Sequence, residues 1–141
     1  MRILVVGAGA IGGYFGGRLL EAKRDVSFLV RARRATQLRA TGLVIKSPCG
    51  DFSLANPPCI EAAAVRQPFD LILLSCKAYD LEGAIESFAP AVGPDTAVLP
   101  LLNGMRHLDV LEARFGAEAV LGGQCVISVA LDPDGRIVHL N

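Results

Sequence analysis

Residues 2–20 read Arg2-Ile3-Leu4-Val5-Val6-Gly7-Ala8-Gly9-Ala10-Ile11-Gly12-Gly13-Tyr14-Phe15-Gly16-Gly17-Arg18-Leu19-Leu20. The run Ile3 to Val6 is short, continuous and rich in β-branched residues, the pattern of a parallel strand buried on both faces. Ile11, Phe15, Leu19 and Leu20 recur at helical spacing and predict a helix reaching about Ala22. Between and within these elements stand Gly7, Gly9, Gly12, Gly13, Gly16 and Gly17. Each glycine in a helix costs roughly 0.5–1 kcal/mol relative to alanine, so their crowding requires a compensating reason.

Asp25 to Val30 reads as a second strand, which completes a strand, glycine turn, helix, strand unit within about thirty residues. In that setting Gly7-Ala8-Gly9-Ala10-Ile11-Gly12 matches GxGxxG. Gly7 permits the tight turn, Gly9 lets a diphosphate approach the backbone, and Gly12 lets the helix pack on the strand. The helix N-terminus adds unpaired N–H groups and a partial positive charge. Gly13, Gly16 and Gly17 are expected to extend the close packing. The candidate cofactor-binding residues here are Gly7, Ala8, Gly9, Ala10, Ile11 and Gly12. A flavin nucleotide is the rival ligand, because the same turn serves both cofactors.

An acid at the end of the second strand, about 20 residues on, would hold ribose hydroxyls and favour NAD. Arg31 stands there instead, followed by Arg33 and Arg34. A guanidinium can clamp a 2′-phosphate that a carboxylate would repel, so NADP(H) is the expected cofactor, with Arg31 as its selector. The three arginines come with no aromatic platform of the kind that stacks nucleic acid bases.

Composition bounds the remaining possibilities. The 141 residues are 52% hydrophobic and 20% charged, with 14 basic and 14 acidic side chains. That excludes a disordered chain and any global attraction to nucleic acid or anionic membrane. Mean hydropathy is high, at +0.44, yet no apolar run reaches the roughly 18–20 residues of a spanning helix. Ile3 to Val6 is too short for a signal peptide, so a cytoplasmic location is expected. The four cysteines and two histidines are too scattered for a metal site and are expected to be reduced thiols and ordinary side chains.

Farther along, Arg31 to Ala40 reads as a short helix ended by Gly42, and residues 43–54 as a β-hairpin. Strands are predicted over 71–76 and 96–102, the latter an end or edge piece because of Pro100. Helices are predicted around Leu81, Ile85 and Phe88, and over Met105 to Phe115. Residues 124–131 are expected to be extended, and Asp132-Pro133-Asp134-Gly135 turns the chain into a returning strand. The pattern predicts one α/β domain over residues 1–141, a Rossmann-type, doubly wound, mainly parallel sheet with helices on both faces. Because the chain stops on a strand, it is expected to be part of a longer protein.

Two further stretches are distinctive, Leu73-Leu74-Ser75-Cys76-Lys77-Ala78-Tyr79-Asp80 and Leu101-Leu102-Asn103-Gly104-Met105. Together with the opening glycines and Arg31, they resemble the N-terminal domain of ketopantoate reductases, over essentially the whole chain. The resemblance implies reduction of 2-dehydropantoate to pantoate with NADPH, on the route to pantothenate and coenzyme A. It implies that Lys77 and Asn103 lie in the cofactor cleft and act in catalysis. It also implies a second, helical domain with the principal catalytic groups, absent from this chain, so that the chain binds NADPH without turnover. The implied partner is a small-molecule 2-keto acid, with no nucleic acid or membrane, and a homodimer is left open. The rival readings are a reductase of another 2-keto acid and an NADPH-sensing module that reduces nothing.

Overall fold

The computed structural model describes residues 1–141. The glycine-rich opening forms strand β1 (Arg2–Val6), helix α1 (Ala10–Glu21) and strand β2 (Asp25–Leu29). Helix α2 (Ala32–Thr41) follows, ending at Gly42, whose φ of 76° suits only glycine without strain. Next come β3 (Leu43–Lys46), β4 (Phe52–Leu54) and β5 (Cys59–Ile60). Strand β6 (Leu71–Leu74), helix α3 (Leu81–Phe88), strand β7 (Ala97–Pro100) and helix α4 (Arg106–Phe115) lead to the hairpin β8 (Val129–Leu131) and β9 (Ile137–His139).

Five of these strands form one parallel sheet in the order β5-β2-β1-β6-β7. Strands are added first to one side of β1 and then to the other, which makes its carboxyl end the switch point where open α/β sheets carry their ligands. Alternation along β1 explains the core: Ile3 and Val5 enter one buried cluster, Leu4 and Val6 the other. The first cluster is closed by α1, α2 and residues of the second sheet, the second by α3 and α4. Helices therefore cover both faces, as expected for a Rossmann-type fold.

The second sheet, β4-β3-β9-β8, is mixed: the two hairpins join through parallel pairing of β3 with β9. Both hairpins are predicted from sequence; their union is not. Three strands are shorter than expected by two residues or more. Strand β6 stops at Leu74 because β1, its neighbour, turns away at Gly7, leaving Ser75 N–H to close the ladder on the Val6 carbonyl. Strand β7 ends at Pro100, which has no N–H to offer and lies toward the sheet's edge, beyond which only Val120 bridges to Val98. Of the extended stretch 124–131, only Val129–Leu131 finds a partner. Strand β5 had no sequence signal, being two residues long. No helix is long and apolar enough to cross a membrane.

Candidate functional site

A cleft of roughly 1110 Å³ opens at the carboxyl ends of the parallel strands. Its size lies near the upper end of small-molecule and cofactor pockets. The turn Gly7 to Ile11, Arg31, Lys77 and Asn103 all line it, so residues separated by up to 96 positions in the chain share one wall. Lys77 follows β6 and Asn103 follows β7, which puts both on the rim next to the turn after β1.

The glycines divide by geometry. Gly7 has φ 94° and must lack a side chain. A Cβ on Gly12 would overlap both Ser75 Oγ and the Gly7 carbonyl oxygen; Gly12 is buried, lies outside the cleft lining, and serves the packing of α1 on the turn. Gly9 differs from both. Its φ is −79°, and a Cβ placed on it would meet no atom of the chain within 4 Å. Nothing inside the protein requires glycine there, although its backbone faces the cleft. The first intrahelical bond of α1 runs from Gly13 N–H to the Gly9 carbonyl at 2.9 Å, so the amides before it are left to point out of the helix end. These features fit a diphosphate resting on bare backbone.

Two side chains hold the turn: Ser75, which the sequence did not mark, and Arg34, which it marked only as a cation near the second strand. Ser75 Oγ–H donates to the Val6 carbonyl at 2.8 Å and, more weakly, toward that of Gly7 at 3.3 Å. Arg34 Nε–H donates to the Ala8 carbonyl at 2.8 Å, while its Nη1 reaches Gln37 Oε1 at 2.6 Å and the Gly135 carbonyl at 3.4 Å. Arg34 thereby ties the turn, α2 and the β8–β9 hairpin together. Its burial lowers the guanidinium pKa from the usual value, and its Nη2 is buried without a partner. Arg33, one position earlier on the same helix, is exposed.

The Arg31 side chain is 84% exposed, and its nearest acid is Asp80, at 3.6 Å from Nη2 to Oδ1. Lys77 and Asn103 are exposed on the rim. Cys76 also lines the cleft. Burial, reinforced by the nearby charge of Asp80, pushes its thiol up to about 11, so it stays protonated at neutral pH and is a poor nucleophile. Arg31, Lys77 and Asn103 are the exposed polar side chains among the residues named around the cleft.

Sheet order, switch-point cleft and glycine turn define a Rossmann-type α/β domain built around a nucleotide-sized crevice. The profile of the family ketopantoate reductase PanE/ApbA matches residues 3–141, and the chain belongs to that family of oxidoreductases. It is 49% identical over 139 residues to an uncharacterized oxidoreductase, YkpB, of Bacillus subtilis, covering 99% of this chain and 45% of that protein. It is 29% identical to a 2-dehydropantoate 2-reductase of Mesorhizobium japonicum, covering 99% of this chain and 49% of that one. Among solved structures, a 2-dehydropantoate 2-reductase from Geobacter metallireducens superposes with a TM-score of 0.91 at 33% identity, over all of this chain and 46% of the other. D-mandelate dehydrogenase, in a ternary structure with NADH and anilino(oxo)acetate, superposes at 0.89 with 29% identity, again over all of this chain and 46% of the other. The chain thus spans about half the length of the relatives it matches.

Proposed function

We propose that this chain is the cofactor-binding part of an NADPH-dependent reductase of 2-keto acids, with 2-dehydropantoate as substrate and pantoate as product. The observation that carries the reading is Gly9, a glycine the protein's own packing does not need, facing a cleft at the helix α1 N-terminus. Family membership and the 2-dehydropantoate 2-reductases among the relatives support the substrate. In this reading Gly7, Ala8, Gly9, Ala10, Ile11 and Gly12 form the diphosphate-binding turn, although Gly12 contributes by packing rather than by contact.

Arg31 holds the 2′-phosphate through its planar donor fork. Bound reduced nicotinamide supplies a hydride to the substrate carbonyl. Asn103 orients that end of the cleft by hydrogen bonding. Lys77 places an ammonium on the same rim, where it stabilises the negative charge developing on the carbonyl oxygen and can pass a proton to it. In this reading the remaining substrate contacts belong to the half of the relatives' length that this chain does not span. The setting is cytoplasmic.

A second reading draws on D-mandelate dehydrogenase, whose structure carries NADH in a similar fold: a reductase of a different 2-keto acid that uses NADH. Titration of the chain with NADPH and NADH, repeated on Arg31→Ala, separates the two. The proposal expects NADPH to bind more tightly and the variant to lose about tenfold or more of NADPH affinity, the loss of charge-assisted hydrogen bonds, while NADH affinity holds. Equal binding of both nucleotides by the unaltered chain favours the second reading, and binding of neither defeats both.

A further inference from the structure

The strand order places β2 and β6 on opposite sides of β1, roughly 10 Å apart at two strand spacings. Arg31 follows the first and Asp80 the second. The 3.6 Å approach of Arg31 Nη2 to Asp80 Oδ1 therefore crosses the mouth of the cleft above the Gly7–Gly9 turn. The two partners are unequally held. The Asp80 side chain is 36% exposed against 84% for Arg31. Asp80 also immediately precedes helix α3, where the helix dipole favours an anion. The carboxylate, on a short side chain at a helix start, is the more enclosed member of the pair, and the guanidinium, on its long stem, the more exposed one.

We infer that Asp80 is a specificity-determining residue: it holds Arg31 across the cleft, so that a 2′-phosphate must compete with a carboxylate for the same guanidinium. This rests on the reading that Arg31 binds the 2′-phosphate. A dinucleotide with a free 2′-hydroxyl has no need of Arg31 and leaves the pair intact. A 2′-phosphate carries up to two negative charges, gains the guanidinium only by parting it from Asp80, and then lies near that carboxylate. Asp80 consequently narrows the gap between NADPH and NADH without contacting either nicotinamide or substrate.

The test is a thermodynamic cycle. Dissociation constants for NADPH and NADH are measured at low salt on the unaltered chain, Asp80→Asn, Arg31→Ala and the double variant. Asparagine matches aspartate in shape and suits a helix start; Asp80→Ser, equally suited, repeats the measurement should the first variant lower the melting temperature. Removing the carboxylate is expected to tighten NADPH about two- to fivefold, the scale of an exposed ion pair, to leave NADH unchanged, and to have no effect once Arg31 is alanine. The inference is overturned if Asp80→Asn changes neither nucleotide, tightens both alike, or still tightens NADPH without Arg31. If Arg31→Ala leaves the NADPH preference intact, the underlying reading fails and takes the inference with it. If Arg31→Ala abolishes the preference while Asp80→Asn is silent, only the inference fails.

Discussion

Gly9 and Gly12 occupy two fixed places of one motif and answer to different forces. Alanine at Gly12 would drive a methyl group into Ser75 Oγ and the backbone oxygen of Gly7. Backbone cannot yield as a flexible side chain does, so Gly12→Ala is expected to destabilise the fold by about 1–3 kcal/mol or more, read as a shift in the urea midpoint. Alanine at Gly9 meets nothing in the chain and keeps an ordinary φ. Gly9→Ala is expected to melt with the unaltered protein yet bind NADPH about tenfold more weakly, because the methyl stands where a phosphate approaches the amides. A Gly9→Ala variant with undiminished affinity would remove the principal support for the binding site. The close packing at Gly12 was legible in the GxGxxG spacing, as was the bare, open position of Gly9, since spacing within one turn is local. The hold of Ser75 and Arg34 on that turn was not legible. Their hydrogen bonds reach the turn from 69 and 26 residues away, and only folding makes those neighbours.

At the level of elements, α1 explains the glycines beyond the motif. It lies between the parallel sheet and the mixed sheet. Gly16 lies against the Phe28 ring on β2, Gly13 against Ile137 on β9, and Gly17 against Ile45 on β3. A helix clasped from two sides can approach both only where its surface is bare. The helix thus recovers in packing what it loses in propensity. Ile137 is fully buried, and Ile137→Ala is expected to cost about 2–4 kcal/mol in equilibrium unfolding. Gly13→Ala alone should also destabilise. Made together, the two changes should cost less than their sum by about 1 kcal/mol, because the lost isoleucine vacates the space the new methyl takes. Strict additivity would show that helix and hairpin do not meet there. Helices and hairpins were readable from periodicity and turn residues, whereas β5 and the β3–β9 pairing were not. Two residues carry no period, and a pairing between positions 45 and 137 leaves no local trace.

Across the whole molecule, apolar side chains remain uncovered near the cleft rim and the approach to β8. Tyr79, Met105 and Val126 are 82%, 73% and 85% exposed. Their exposure is expected to make the chain associate as its concentration rises, detected as an increasing sedimentation coefficient, and Val126→Glu should shift the balance toward monomer. A coefficient independent of concentration would contradict this. The amino-acid order by itself determined the βαβ opening, the glycine turn at its first crossover, both hairpins and the alternating core of β1, because each depends on neighbours in the chain. Tertiary structure alone decided which cations stay free and which are engaged. Arg34 is drawn beneath the turn while Arg31, three positions earlier, reaches over it toward Asp80. That outcome follows from strand order, which sets distant segments side by side and has no counterpart in any single stretch of sequence.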